Sequence, residues 1–431
     1  MIMRFGIDRV SITPDWPTYM AGYGARNDLS DGVNDPLTFS SLILEEKGKM
    51  VFIGAVDLVG IGRDHSKLMR QKVAKILGID FSDVMINCSH THGGMRVSQS
   101  DYIETNSMMP VVTKNKKLLE TRICSSAKRA LKNLQEGSIS YGEGITTVPM
   151  NRRLLYKGNV ENRPNPEGKT DSVLKVLKIT DKKGKIAAVI TRVSCHAVAT
   201  GAKHLITADY PGAMRPLIEK AFPGSLAIFW QGVGADARPR QVANGKEWRA
   251  MQHKELPVIG ECLFTEVMEV LTNRMTPIEK LDLGSALEVV NLPVSDSSIT
   301  KKDLEKQLKE AKYDITKTCI RKMLAMKELP VDFPMTIQMI RFNRQFSLVG
   351  IAAEVLCGLG EKVGKKISTE FSMVLGYTNG AHIYLPCKDE LRRGGYETMS
   401  VYDLLPSPLS PELEDILTGK TAEFDKKLNR N

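Results

Sequence analysis

The chain has 431 residues, of which 42% are hydrophobic and 26% are charged. This length is sufficient for a large buried core, and the composition excludes a disordered, fibrous or low-complexity protein. No run of about 18 apolar residues occurs, which excludes a predicted transmembrane helix. The net charge of +10 comes from lysines scattered over separate segments without interleaved aromatic residues, so we expect no nucleic-acid partner.

Two features indicate the compartment. The N-terminal segment contains no basic stretch followed by an apolar one, so we expect no secretory signal. The seven cysteines are odd in number and show no close pairing pattern, which is typical of reduced thiols. We therefore expect a soluble cytoplasmic protein with a small-molecule partner, and its oligomeric state stays open.

Apolar periodicity and turn residues predict alternating strands and helices. In chain order the pattern predicts strands at 4–14, 37–44 and 50–57, a helix at 64–77, a strand at 83–86, a helix at 116–134, a strand at 138–144, a hairpin of strands 172–179 and 186–193, a helix at 210–222, a strand at 226–230, helices at 254–273 and 301–327, a hairpin of strands 335–342 and 346–353, a strand at 371–376 and one helix in the tail 401–431.

The order of these elements predicts the fold class. Strand, helix and strand over residues 50–86 imply a parallel pair joined by a right-handed crossover. The hairpins at 172–193 and 335–353 argue against a purely parallel sheet. We predict an α/β fold of layered mixed β-sheets covered by helices. Residues 1–431 are expected to form one domain with a helical surface excursion around 301–327, to which we assign no chemistry.

The segment from Asn87 to Met95 carries the first candidate chemistry. His90 and His92 follow an apolar strand and are two residues apart, so both imidazoles can face one side. Two such imidazoles suit a metal ion, or a metal ion and a base. A polar turn whose histidines cap the strand fits the same pattern.

Other polar residues also follow apolar strands. His196, Asp236 and Glu354 each come just past a predicted strand, as His90 does. Residues at several strand ends assemble active sites in α/β sheets, although scattered turn residues would give the same pattern. Cys88 and Cys195 lie beside two of the histidines, where each could be a thiolate ligand or a small buried hydrophobe.

Several segments resemble the neutral (alkaline, non-lysosomal) ceramidase family. In the family's order they are Ile12-Thr-Pro14 with Met20-Ala-Gly22, Ser89-His-Thr-His-Gly-Gly94, Asn151-Arg152, Cys195-His-Ala197 with Ala208-Asp-Tyr-Pro-Gly212, Glu354, and the tyrosine segments Thr378-Asn379 through Tyr384 with Tyr396-Glu397. One motif alone is a weak signal, whereas six in register over nearly the whole chain are strong. The resemblance implies a ceramidase-like catalytic domain.

The resemblance also implies roles for individual residues. The zinc (Zn²⁺) ligands would be His90, His196, Glu354 and Tyr384. Three further polar groups, His92, Arg152 and Tyr396, would orient the substrate and stabilise charge. Zinc lowers the pKa of its bound water towards about 7, which supplies hydroxide at neutral pH. His92 would then act as the general acid or base, with Arg152 or Tyr396 meeting a developing oxyanion.

The sequence departs from this family at one position. The family's nucleophilic serine lies in a Gly-Asp-x-Ser-Pro motif, and here the matching stretch is Ala235-Asp-Ala-Arg-Pro239. Arg238 stays protonated and is no nucleophile, so metal-bound water would have to attack. A guanidinium group in the site would favour carboxylates, phosphates or sugar hydroxyls as ligands. In the alternative, Arg238 points outward on a surface loop. We also expect the family's additional C-terminal domain to be absent.

Three functions are compatible with these residues. We expect a zinc-dependent hydrolase that cleaves an amide or related acyl bond of a small polar substrate; ceramide itself is doubtful because of Arg238. The alternative is a catalytically altered, metal-containing binder of a carbohydrate or acidic metabolite. A metal-dependent isomerase or lyase is a third interpretation.

Overall fold

The computed structural model describes residues 3–24, 26–97, 107–380 and 383–429. The first elements are β1 (Arg4–Ser11), β2 (Gly32–Val33), β3 (Thr38–Glu46), β4 (Lys49–Val56), α1 (Arg63–Leu77), β5 (Val84–Cys88), α2 (Met109–Lys132), β6 (Gln135–Ile145), β7 (Pro149–Tyr156) and β8 (Asn159–Asn165). They continue with β9 (Val173–Asp181), β10 (Ile186–Val193), β11 (Leu205–Ile206), α3 (Tyr210–Ala221), β12 (Leu226–Gln231), β13 (Ala237–Pro239), β14 (Ala243–Asn244), β15 (Glu247–Trp248) and α4 (Leu256–Asn273).

The remaining elements complete the C-terminal part. They are β16 (Thr276–Ile278), β17 (Gly284–Pro293), α5 (Lys301–Glu310), α6 (Asp314–Ala325), β18 (Asp332–Arg341), β19 (Phe346–Ile351), β20 (Glu354–Val355), α7 (Cys357–Gly364), β21 (Phe371–Leu375), β22 (Tyr384–Leu385), α8 (Lys388–Arg393) and α9 (Glu412–Leu428). None of the described helices is both long and apolar enough to cross a membrane.

Two mixed sheets form the centre of the fold. Within the described ranges the larger sheet runs β12-β10-β9-β6-β1-β3-β4-β5, with β16 beside β6. Its pairs β4–β5 and β10–β12 are parallel, and the other pairs are antiparallel. The second sheet runs β17-β18-β19-β21, with β19 parallel to β21. The predicted mixed sheets are therefore confirmed.

Alternation along the strands explains the layers. In β3, Ile43 packs on one face with α1 and α2, whereas Leu42 and Leu44 point to the other face. There they meet Phe346 and Leu348 of the second sheet. The outer face of the second sheet is covered by α7 and α9, and α3 with α4 covers the far half of the larger sheet. The result is a helix–sheet–sheet–helix sandwich.

Some elements differ from the sequence prediction. The hairpin of β7 and β8 was not predicted, because residues 159–165 are mostly polar and lack an apolar alternation. The excursion around 301–327 contains two helices, α5 and α6, and Thr300 starts α5 with a capping box to Asp303. The single-domain boundary 1–431 stays a prediction.

A buried amide connects the two sheets next to the histidine segment. Asn87 of β5 is fully buried, and its side-chain Nδ2 donates to Gly376 O at 2.8 Å and to Thr378 Oγ1 at 3.1 Å. Its Oδ1 accepts from Gln231 N at 2.8 Å. The amide therefore ties β5, the end of β12 and the segment after β21 together, which fixes the strand ends that carry the candidate site.

We expect Asn87→Ala to destabilise the protein by about 2–4 kcal/mol, because several buried backbone groups lose their hydrogen-bond partners. Urea unfolding monitored by circular dichroism measures the change. Asn273→Ala is a suitable control, since Asn273 is exposed at the end of α4, and we expect a change below about 0.5 kcal/mol. Equal unfolding midpoints for the Asn87 variant and the wild type would contradict this role.

Candidate metal centre

His90 is presented by the chain reversal after β5. Its backbone has φ 59°, an uncommon conformation for a residue with a side chain, and its imidazole is buried. Nδ1 lies 2.6 Å from Val59 O, a backbone acceptor in the loop after β4. Because a carbonyl only accepts, Nδ1 carries a proton, and in the neutral ring Nε2 then presents a lone pair to the site.

His196 reaches the same place from the end of β10. Its Nδ1 lies 2.8 Å from Gly234 O, and its backbone N–H donates to Ala237 O at 3.1 Å. Burial and the charge of Arg152 lower the pKa of His196 to about 3, so the imidazole is neutral. Its Nε2 is therefore also a lone pair, as a metal ligand requires.

Glu354 completes the group from β20. Its Oε2 lies 3.2 Å from His90 Nε2 and 3.2 Å from His196 Nε2. His92 Nε2 lies 3.3 Å from His90 Nε2, so a third imidazole joins the cluster. The three histidines can offer ligand atoms within 4.8 Å of one another. Cys88 and Cys195 are buried and belong to no such group among the described residues.

The donor set fits a divalent cation. In the neutral rings with Nδ1 protonated, the Nε2 atoms of His90 and His196 are acceptors. They face the buried Glu354 Oε2, which has no other partner among the described residues. Acceptors that converge out of water are unfavourable unless a positive charge lies between them. Two imidazoles and a carboxylate are ligands that zinc prefers at sites with an open position. These three residues therefore form a candidate metal centre.

Arg152, on β7, is fixed beside the imidazoles. Its Nη1 lies 3.3 Å from His196 Nε2, and its Nη2 donates to Tyr384 Oη at 3.1 Å. Its Nε donates to Glu397 Oε1 at 2.8 Å, and Arg153 pairs with the other oxygen of the same carboxylate. Sequence reasoning gave Glu397 no role beyond the motif, because its contact with Arg152 spans more than 240 residues.

The pairing of two short strands determines the position of Tyr384. Glu354 and Tyr384 are partners in the parallel ladder of β20 and β22, which brings the tyrosine next to the carboxylate. Burial and Glu354 raise the pKa of Tyr384 well above its usual value, so the hydroxyl keeps its proton in this structure. The ring of Tyr396 is 5.5 Å from that of Tyr384 and is 44% exposed. Tyr384 as a metal ligand stays a prediction.

A cavity of about 1640 Å³ opens onto these groups. Of the predicted site residues, it is lined by His90, His92, Arg152, Arg238, Glu354, Tyr384 and Tyr396, while His196 is fully buried behind them. The N-terminal end of α6, beginning at Asp314, also lines the cavity, so the helical excursion forms part of the wall. The polar sequence of the excursion did not predict that it lies at the cavity wall.

The glycine-rich loop near residue 22 was also missed as part of the site. The ring of Tyr23 is 4.9 Å from that of His92. Gly22 has φ 99°, and a Cβ at this position would lie 2.4 Å from His92 Nδ1. Glycine therefore allows the loop to pass directly against the imidazole.

Asp236 does not join the histidines, although it follows a strand as they do. Its Oδ1 accepts from Cys357 N at 3.1 Å, its Oδ2 contacts Cys357 Sγ at 3.0 Å, and Glu390 is the third member of this separate group. Burial and the neighbouring Glu390 raise the pKa of Asp236 to about 7. The interpretation of Asp236 as part of the shared site is wrong, because its side chain turns towards the start of α7.

The fold and the site together define a class of protein: a layered α/β protein with a histidine–carboxylate centre in a cavity at its strand ends. The sequence matches the family described as neutral/alkaline non-lysosomal ceramidase, N-terminal, over residues 4–239, which is more than half of the chain. The chain belongs to the neutral/alkaline non-lysosomal ceramidase family. This membership supports a hydrolase as the general class of enzyme.

Solved structures share the fold of this chain. The fold is similar to a crystal structure of neutral ceramidase from Pseudomonas aeruginosa, with a TM-score of 0.78 and 19% sequence identity over 100% of this chain and 75% of that chain. A structure described as a ceramidase complexed with C2 gives a TM-score of 0.77 and 18% identity at the same coverage. No curated protein sequence matches the chain. The structural likeness confirms the predicted fold class.

The raised pKa of Asp236 predicts a pH effect on stability. Its ordinary pKa is 3.8, so the unfolded chain loses this proton near pH 4 while the folded chain keeps it until about pH 7. The folded state then binds more protons in this window, and stability falls as pH rises through it. Between pH 4.5 and 7.5 we expect the free energy of unfolding of the wild type to fall by an amount on the order of a few kcal/mol because of this group. Asp236→Asn should remove that fall. Urea unfolding of both proteins at the two pH values measures this slope, and parallel slopes would exclude it.

Proposed function

We propose that the protein is a zinc-dependent hydrolase that cleaves a C–N amide or related acyl bond of a small polar substrate. The observation that carries the proposal is the approach of Glu354 Oε2 to the Nε2 atoms of His90 and His196, at 3.2 Å each. Membership of the ceramidase family supports hydrolysis as the reaction class. Tyr384 is the proposed fourth ligand.

The ion and the chain would divide the chemistry. When bound, zinc supplies a Lewis acid and makes hydroxide available at neutral pH by lowering the pKa of water towards about 7. His92 Nε2 is 3.3 Å from His90 Nε2, which supports His92 as the group that accepts a proton from the attacking water and passes it to the leaving amine. The loop at Gly22 packs against this imidazole and limits its rotation.

Arg152 and the tyrosines are proposed to receive the charge that develops on the substrate. Glu397 holds the Arg152 guanidinium group in place, which supports a preorganised donor for the carbonyl oxygen. Tyr396, whose ring is 5.5 Å from that of Tyr384, lines the same cavity and would add a hydroxyl donor. Arg238 occupies the place of the family's serine and stays protonated, which supports attack by water without an acyl-enzyme.

Replacement of a ligand should remove the ion. We expect His90→Ala and His196→Ala each to lower the zinc retained after dialysis by at least about tenfold, because one donor of the group is lost. Mass-spectrometric metal analysis measures the zinc content. His204→Ala is the matched control, since His204 lies outside the cluster and should leave the content unchanged. Full zinc content in both test variants would exclude this centre.

The roles of His92 and Tyr384 can be separated. We expect His92→Asn to retain zinc and to lower the rate of amide hydrolysis by about 10²–10⁴-fold, as for loss of a general base. Tyr384→Phe is expected to lower zinc affinity, because the phenyl ring offers no ligand atom. Zinc content and turnover of simple polar amides are measured for both variants. Loss of zinc from the His92 variant alone would make His92 the ligand and contradict our assignment.

Turnover also separates the hydrolase from the binder. Simple polar amides are screened with the zinc-loaded protein, and release of amine is measured. Affinity for these amides without any turnover would favour a metal-containing binder over the enzyme. Turnover of ceramides as fast as that of the small amides would contradict the proposed preference for small polar substrates.

A further inference from the structure

We propose that Arg238 binds an anionic group of the substrate, a carboxylate or a phosphate, and so restricts the enzyme to amides that carry such a group. This inference rests on the proposed function for the bond that is cleaved. It concerns a position at which this chain differs from the Gly-Asp-x-Ser-Pro pattern of the family.

Two neighbouring strands place Arg238 in the cavity. β13 pairs with β7 so that Arg238 is opposite Met150, two residues before Arg152. Arg238 lines the same cavity as His90 and Glu354, and it is partly buried. The alternative in which Arg238 turns outward on a surface loop is therefore wrong. A substrate that reaches the imidazoles can also reach this guanidinium group.

The charge of Arg238 is not balanced by the protein. In the described ranges no carboxylate lies within ion-pair distance of it, and its Nε is buried without a hydrogen-bond partner. The neighbouring Arg152 differs, because Glu397 pairs with it at 2.8 Å. Burial and the charge of Arg152 lower the pKa of Arg238, so the surroundings disfavour its charge.

Arg238 also lies over an aromatic ring, which offers it no hydrogen-bond acceptor. Its guanidinium carbon lies 5.5 Å from the centroid of the Trp248 ring. A cation–π contact of this kind satisfies no N–H group of the guanidinium. The N–H groups of a guanidinium match the two oxygens of a carboxylate or phosphate and form strong bidentate hydrogen bonds with them. An anion from the substrate would thus supply both the missing charge and the missing acceptors.

Binding of matched probes tests the proposal without turnover. Calorimetry at low ionic strength measures the affinity of the zinc-loaded protein for succinamate, for its neutral isostere succinamide and for inorganic phosphate. We expect one of the two anions to bind at least tenfold more tightly than succinamide, and the stronger anion identifies the group. Arg238→Gln should abolish this preference, and Arg238→Lys should keep only part of it, because lysine lacks the planar fork. Arg240→Gln, at an exposed arginine two residues away, should leave it unchanged.

Two results would overturn the proposal: equal affinity of the wild type for succinamate, phosphate and succinamide, or an undiminished anion preference in Arg238→Gln. Circular dichroism establishes that the variants are folded, and the lysine variant repeats the test if the glutamine variant is not. Turnover is measured separately. Anion preference without hydrolysis would leave Arg238 as the anion site and reject the hydrolase, whereas hydrolysis without anion preference would reject the role of Arg238 alone.

Discussion

The contact of one carboxylate oxygen with two imidazole nitrogens, at 3.2 Å each, is the constraint on which the rest of the site depends. The backbone fixes both rings, because Val59 O and Gly234 O accept from their Nδ1 atoms and leave the Nε2 lone pairs towards Glu354. Such a group of acceptors is unfavourable without a cation, and the φ of 59° at His90 adds strain. The layered core must therefore stabilise an arrangement that its local sequence would not adopt alone.

Charged groups behind the imidazoles hold the side chains that surround the candidate metal ligands. Glu397 is buried and shared by Arg152 and Arg153, so the two guanidinium groups are held by one carboxylate. A buried pair of this type contributes little net stability, but it keeps Arg152 in one orientation. Arg152, which lies beside His196, is thus held by Glu397, a residue more than 200 positions later in the chain. Precision at the site comes from these long-range contacts.

The sequence was sufficient for those features that depend on local patterns. Strands with apolar runs, such as β3 and β19, and the histidines that follow β5 and β10 could be predicted from residue type and position. The mostly polar β8 could not, because its pairing with β7 and not its side chains makes it a strand. Asp236 gave the same strand-end signal as His196, yet the turn after β12 aims its side chain at Cys357. Residue types alone do not predict the path of a loop. For the same reason the position of α6 in the cavity wall was not predicted.

Arginine in place of the family's serine at position 238 brings a positive charge to the wall of the cavity. Glu397 already pairs with both Arg152 and Arg153, so Arg238 adds a positive charge with which no carboxylate of the described residues forms an ion pair, and a divalent ion would add two more. A hydroxyl at position 238 would not add this charge. Long-range Coulomb interactions in a partly buried cavity are weakly screened, and a neutral lipid-like amide would leave this excess uncompensated. The proposed substrate, with its own negative charge, would compensate it on binding and would account for the unpaired arginine at this position.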